Sequence, residues 1–406
     1  MRLLPPYPGY RRSRRARRPS ARLDREPRLH RRFASEHAAE PDDVPHAPAR
    51  DEPEDRHARN GNSSARRAGH RGVSLHPEVG RVRQTFVLAC AAVFWAAPRP
   101  PALAATVWVS NERSGSLTVI DSATDRVVST VAVGGRPRGI QVAPDDRTVY
   151  VAVSHPAKIR SGPPHEIVAV DAATRRVRAR FEAGTDPEQL AVARDGARLY
   201  ISNEDAGTAS VTDVATGKVM ATLVTGIEPE GVAISPDGRW VYVTAETSNT
   251  VTVIDTRANK VIATFLVDPR PRAAAFSPDG SRAYVTAELG QSVSVIDARR
   301  HKVLRVFRLA ASERPCGVKT SRDGRRLYVA TGRGNTILNL DSATGKRIAS
   351  TPVGNRVWNF AFTPDRRKLY AANGLSNDVS VIDTRTNRVV ATVAAGDGPW
   401  GVAVTP

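Results

Sequence analysis

Val232-Ala233-Ile234-Ser235-Pro236-Asp237-Gly238-Arg239-Trp240-Val241-Tyr242-Val243-Thr244-Ala245 opens a unit that continues through Val251-Thr252-Val253-Ile254-Asp255 to Val261-Ile262-Ala263-Thr264-Phe265. Its apolar runs are short and dominated by Val, Ile, Thr and Tyr, the residues that suit a pleated, half-buried surface. Pro236-Asp237-Gly238 supplies turn chemistry after the first run, and Asp255 to Lys260 supplies it between the third and fourth. The stretch predicts four strands, over 232–235, 240–244, 251–254 and 261–265.

The unit recurs. A strand closes on an apolar residue and Asp at Ile120-Asp121, Val170-Asp171, Ile254-Asp255, Ile296-Asp297, Leu340-Asp341 and Ile382-Asp383, with Thr212-Asp213 in the third copy. Successive copies lie 50, 42, 42, 42, 44 and 42 residues apart. A period of 40–45 with four strands per copy indicates an all-β fold, a β-propeller. Gly401-Val402-Ala403-Val404-Thr405-Pro406 is a first strand without its three successors, and Val107-Trp108-Val109-Ser110 is a second strand without its first. Joined, they complete seven blades of four antiparallel strands, so the closing blade is shared by the N- and C-terminal strands and no sheet edge is left open.

Outside 106–406 the chain reads differently. Residues 1–78 are rich in Arg and Pro and lack apolar periodicity, so disorder is expected there. Residues 79–105 contain Arg81-Val82-Arg83, an apolar run from Phe86 to Ala97, and Ala102-Leu103-Ala104. That is the layout of a signal peptide, with an apolar run too short to span a bilayer. A signal peptide this far into the chain implies a start codon placed too far upstream, with Val79 or Val82 as the initiator, and a mature protein exported to the periplasm. The net charge of +19 is concentrated at the front; 106–406 carries 39 Lys/Arg against 30 Asp/Glu. No basic stripe with interleaved aromatics occurs there, which argues against nucleic acid. Cys90 falls in the expected signal peptide, leaving Cys316 without an intramolecular partner. Of nine histidines only His155, His165 and His301 lie in the repeats, without close ligand spacing, so no metal site is assigned.

The repeat resembles the YVTN-type β-propeller family, on a second-strand motif written here Tyr242-Val243-Thr244-Ala245. It is most similar to the β-propeller proteins associated with pyrroloquinoline-quinone-dependent catabolism. The segments that carry this are Arg136-Pro137-Arg138-Gly139, Asp186-Pro187-Glu188-Gln189, Glu228-Pro229-Glu230-Gly231 and Arg270-Pro271-Arg272. Arg356-Val357-Trp358, Asn373-Gly374-Leu375-Ser376-Asn377-Asp378 and Gly398-Pro399-Trp400-Gly401 add to them. The resemblance implies a periplasmic protein that works beside quinoprotein alcohol oxidation; it carries no established activity. The loop from Ser154 to Glu166 departs from the pattern by about eight extra residues.

The copies serve as an alignment within one chain. Corners after the first strand repeat an Asp, at Asp145, Asp195, Asp237, Asp279, Asp323 and Asp365, which reads as turn chemistry. The opposite face, at the channel mouth, varies from blade to blade. The residue after the proline position is Arg138, Glu188, Glu230, Arg272, Cys316, Trp358 or Trp400. The one before it is Arg136, Asp186, Glu228, Arg270, Arg314, Arg356 or Gly398, and a further mouth position carries Glu112, Glu204, Glu246 and Glu288. The candidate binding residues are Arg136, Arg138, Glu188, Glu204, Glu230, Glu246, Arg272, Glu288, Arg314, Arg356, Trp358 and Trp400. Arg138, Arg272, Arg314, Arg356, Trp358 and Trp400 are expected to line one site, since arginine forks suit carboxylates and tryptophan faces suit flat ligands or cations.

Three functions compete. The first is a periplasmic binding or docking propeller that takes a small carboxylate or a partner, a quinoprotein dehydrogenase or cytochrome c. The second is a lactonase-like hydrolase using Glu204, Glu246 and Glu288 as bases or metal ligands; no nucleophile–base motif is visible, and no catalytic residue is assigned. The third is a cell-envelope structural module, for which no anchor or partner domain is seen. Pyrroloquinoline quinone and Ca²⁺ are the cofactor candidates, and a monomer without a membrane span is expected.

Overall fold

The computed structural model describes residues 105–155 and 165–406. Residues 1–78, the expected signal peptide up to Ala104, and most of the long loop after Ser154 lie outside them. Each predicted unit becomes one four-stranded antiparallel sheet, and there are seven. Blade 1 is Pro399–Thr405, Thr106–Asn111, Ser116–Asp121 and Arg126–Ala132, so both termini of the repeat region meet in one sheet. Thr106 pairs with Thr405, Val107 with Val404, Trp108 with Ala403 and Val109 with Val402. The Trp108 indole N–H also donates to Thr405 Oγ1 at 3.2 Å. Blades 2 to 7 begin with inner strands Arg136–Val142, Pro187–Val192, Pro229–Ile234, Pro271–Phe276, Val318–Thr320 and Val357–Phe362. The decisive stretch forms Pro229–Ile234, Trp240–Ala245, Thr250–Asp255 and Lys260–Leu266. Among the described residues no helix is long and apolar enough to cross a membrane.

Each sheet is sandwiched between two neighbours, which is why its middle strands are apolar on both faces. Val149, Val151, Val168 and Val170 of blade 2 pack with Trp108, Leu117 and Val119 of blade 1, and the pattern continues round the ring. The repeated aspartates do what the sequence implied. Asp237 Oδ1 accepts the Arg239 N–H at 3.0 Å in a corner, and Asp255 Oδ1 accepts the Arg257 N–H at 2.8 Å in a turn.

Two devices shape the mouth. The inner strand bulges after its proline: Pro229 pairs with Ala245 and Val232 with Val243, so Glu230 and Gly231 together face one residue. A bulge of this kind re-aims a side chain out of the ladder. Gly231 permits it because a Cβ there would run into the Arg272 carbonyl oxygen of the next blade. Second, in blades 3, 4 and 5 the hydroxyl after the strand-two Tyr-Val or Tyr-Ile pair ties the blade to the next at this point. Ser202 donates to the Glu230 carbonyl at 2.6 Å and Thr244 to the Arg272 carbonyl at 3.3 Å, while Thr286 donates to the Cys316 carbonyl at 2.5 Å. The motif threonine therefore fixes the backbone of the residue that looks into the channel.

Candidate functional site

The bulged residues and the loops beside them converge on one mouth of the channel, where the charged groups separate into two clusters. In the first, Arg138 contacts Glu188, lies 3.0 Å from Glu112 and 3.6 Å from Glu204. Arg136 adds a 2.6 Å pair to Glu112. Burial works against the Glu112 charge, but Arg138 and Arg136 outweigh it and hold its carboxyl low. In the second, Arg272 reaches Glu230 at 3.1 Å, Glu288 at 2.6 Å and also Glu246. Arg270 lies 2.8 Å from Glu246, and Arg356 crosses from blade 7 to Glu288 at 2.8 Å. Burial disfavours the Glu288 carboxylate, and the two guanidiniums of Arg272 and Arg356 more than reverse this, bringing it down to about 2.

The expected single site is therefore split. Arg272, Trp358 and Trp400 do line one cavity of about 20 Å³, together with Glu230, Cys316 and Gln189, room for about one water. Trp358 and Trp400 pack with ring centroids 6.1 Å apart, and Arg356 and Arg272 stand over Trp358 at 4.0 and 5.3 Å. Arg138 belongs to the other cluster instead. Arg314 forms no ion pair within 4.0 Å among the described residues. The sequence offered the arginines as grips for a ligand; Arg138 and Arg272 are already met by the protein's own glutamates, and the tryptophans pack against each other. Cys316 is buried, and burial pushes its thiol up to about 12.

Acid is left over in blades 3 and 4. Asp186, absent from the candidate set, comes together with Glu188 and Glu204, their oxygens within 4.8 Å of one another. Burial pushes the Glu204 carboxyl up to about 7, with Glu230 reinforcing it and Arg138 opposing it. Three oxygen donors suit a hard cation such as Ca²⁺, although Arg138 already contacts one of them. Sequence spacing also hid His155 and His165, which the second hairpin of blade 2 brings to 6.3 Å between ring centroids, with Glu166 Oε1 3.9 Å from His155 Nε2.

The backbone adds an independent sign. Asp186, Glu228, Arg270 and Arg356 occupy the left-handed region, with φ of 50, 57, 59 and 59°. Blade 1 has glycine there, Gly398 at φ 70°, the residue for which that conformation is free. Four blades hold a charged side chain where the backbone favours glycine, and such strain collects at functional sites.

A stability test follows. Because the Glu204 pKa is raised above its unfolded value, the folded state binds more protons between about pH 4.3 and 7, and stability falls as pH rises through that window. Glu204→Gln should raise the melting temperature at pH 8 and lose that advantage at pH 4; parallel melts of both proteins measure it.

Comparison with known proteins agrees with this architecture. Residues 166–326 match the YNCE-like beta-propeller family, and residues 267–405 match the family described as lactonase, 7-bladed beta-propeller. No curated protein matches. Among solved structures, hydrazine synthase of Kuenenia stuttgartiensis is 22% identical, with a TM-score of 0.62 over 75% of this chain and 99% of that one. A functionally unknown protein from Desulfotomaculum acetoxidans DSM 771 is 18% identical, with a TM-score of 0.64 over 74% and 98%. At these identities the likeness is one of fold.

Proposed function

We propose that this chain is an exported docking propeller of the periplasm, accessory to pyrroloquinoline-quinone-dependent alcohol oxidation, and that its channel mouth receives a partner protein, a quinoprotein dehydrogenase or a cytochrome c. The observation that carries the reading is the asymmetry of the two faces: the same corner aspartate recurs in six blades on one, while charges and aromatics differ blade by blade on the other. A small carboxylate ligand such as the quinone cofactor is the weaker occupant. Arg138 and Arg272 would have to abandon buried glutamates to hold it, at a cost of several kcal/mol for each stranded charge. The groups left to meet a partner are rim charges, with Asp186, Glu204 and Glu228 on one side and Arg314 on the other. Complementary rim charge steers and orients protein association. Ca²⁺, the other cofactor candidate, would take Asp186, Glu188 and Glu204.

The test is a pair of charge reversals assayed against the purified dehydrogenase and cytochrome c of the source organism. Glu228→Arg should weaken binding tenfold or more, about 1.4 kcal/mol, with the difference shrinking as salt rises. For a partner that presents basic charge to this acidic side, Arg314→Glu should leave binding unchanged or strengthen it. If neither reversal alters binding while both proteins fold, the docking reading fails.

A hydrolytic reading has two observations in its favour: Glu204 is poised near neutral pH, as a general base requires, and residues 267–405 match the lactonase family. Lactone turnover by the wild type that Glu204→Gln abolishes would replace the docking reading.

A further inference from the structure

The other mouth of the channel is where the sequence reading found only turn chemistry, yet three side chains there break the repeat. Lys319 lies on the inner strand of blade 6 opposite Tyr328. The same register position holds Ala191, Ala233, Ala275, Ala361 and Ala403, with Gln141 in blade 2. Arg322 stands in the corner of blade 6 where Pro144, Pro236, Pro278 and Pro364 stand in others and where blade 3 has Arg194. Arg366 occupies the corner position of blade 7 at φ 59°, where Gly196, Gly238, Gly280 and Gly324 adopt φ of 67–73°. Its guanidinium sits over the Phe362 ring at 4.9 Å.

All three line a cavity of about 520 Å³, which Asp146 and Phe362 also border. That volume is in the range of small-molecule sites. Lys319 is half-buried, Arg322 and Arg366 are exposed, and among the described residues none of the three makes an ion pair within 4.0 Å. Burial, and after it the Arg366 charge, push the Lys319 ammonium down to about 8. Burial and the Arg322 charge likewise disfavour protonated Arg366. An arrangement in which like charges converge on a cavity is unfavourable by itself and becomes favourable when an anion enters.

We propose that this second mouth is a binding site for a small oxyanion carrying two or more charges, of the phosphate or dicarboxylate class, held by Lys319, Arg322 and Arg366. The site lies on the face opposite the docking mouth and does not depend on that reading.

The repeat supplies the variants. Lys319→Ala installs the residue that five other blades carry, and Arg366→Gly installs the residue that four other corners carry, so both should fold. Calorimetric titration of the full chain with inorganic phosphate and with succinate at low salt is expected to show binding. Each variant should weaken it tenfold or more, while Arg366→Gly melts no lower than the wild type because glycine adopts φ 59° freely. Unchanged binding in both variants, or no binding of either anion by the wild type, overturns the proposal.

Discussion

Arg272→Met should lower the stability of the propeller by about 3–5 kcal/mol at pH 7, the range for breaking a buried ion pair by removing one partner. Arg272 is only 8% exposed and faces Glu230, Glu246 and Glu288, each equally enclosed. Removing the guanidinium strands carboxylates that cannot recover their water. The deficit should depend on pH with a definite sign. The folded pKa of Glu288 lies near 2, below its unfolded value, so the stability it contributes is present above about pH 4.3 and lost as pH falls through 2. In the variant the carboxylates lose the charge that kept them ionised and take up protons sooner. The gap between the proteins should therefore be widest near neutrality and narrow below pH 4. Denaturant titrations at pH 7 and pH 3.5 measure it. Arg270→Met is the contrast: Arg270 pairs with Glu246 but is 41% exposed at its side chain, and exposed pairs contribute about 0–1 kcal/mol.

Deleting Val402 to Pro406 should be more damaging still. It removes four of the register pairs that close blade 1 and the Thr405 acceptor of the Trp108 indole. It also takes Val402 and Ala403 from two inter-blade cores and uncovers Trp108, a fully buried side chain. At about 1.5–3 kcal/mol for each large apolar side chain exposed, the loss comes to roughly 5 kcal/mol or more. Open repeat arrays can shed a terminal unit; a ring cannot, because every blade relies on two neighbours. Thermal melting should show a large drop, and size exclusion should show self-association through the bared strand edge. A truncated chain that melts like the full one would refute the closure.

The ring was legible because its signals are local and repeated. The Ile-Asp strand ends set the period, and the orphan strands Val402-Ala403-Val404 and Val107-Trp108-Val109 identified each other as the two parts of one blade. Strand ends were misjudged by one to three residues, chiefly because the inner strand begins before its bulge, at Pro229, and not at Val232. The mouth was legible as a list of positions but not as a set of contacts. A blade number places Arg356 and Glu288 two blades apart; it does not say that a long guanidinium crosses to that carboxylate beside Trp358. Nor does it separate Arg138 from Arg272, which differ only in the glutamates within reach. Lys319 was visible as a lysine among alanines, but the repeated corner aspartates drew that face into the category of turns.

On the reading proposed above, one face of the ring receives a partner. Hydrogen exchange of the full chain, alone and saturated with the dehydrogenase or cytochrome c it is proposed to meet, tests this most directly. Exchange should slow in the mouth loops of blades 3 and 4, around Asp186, Glu204, Glu228 and Glu246, with the corners at Asp237 and Asp279 unchanged. Protection confined to those corners, or none at saturating partner, would contradict it.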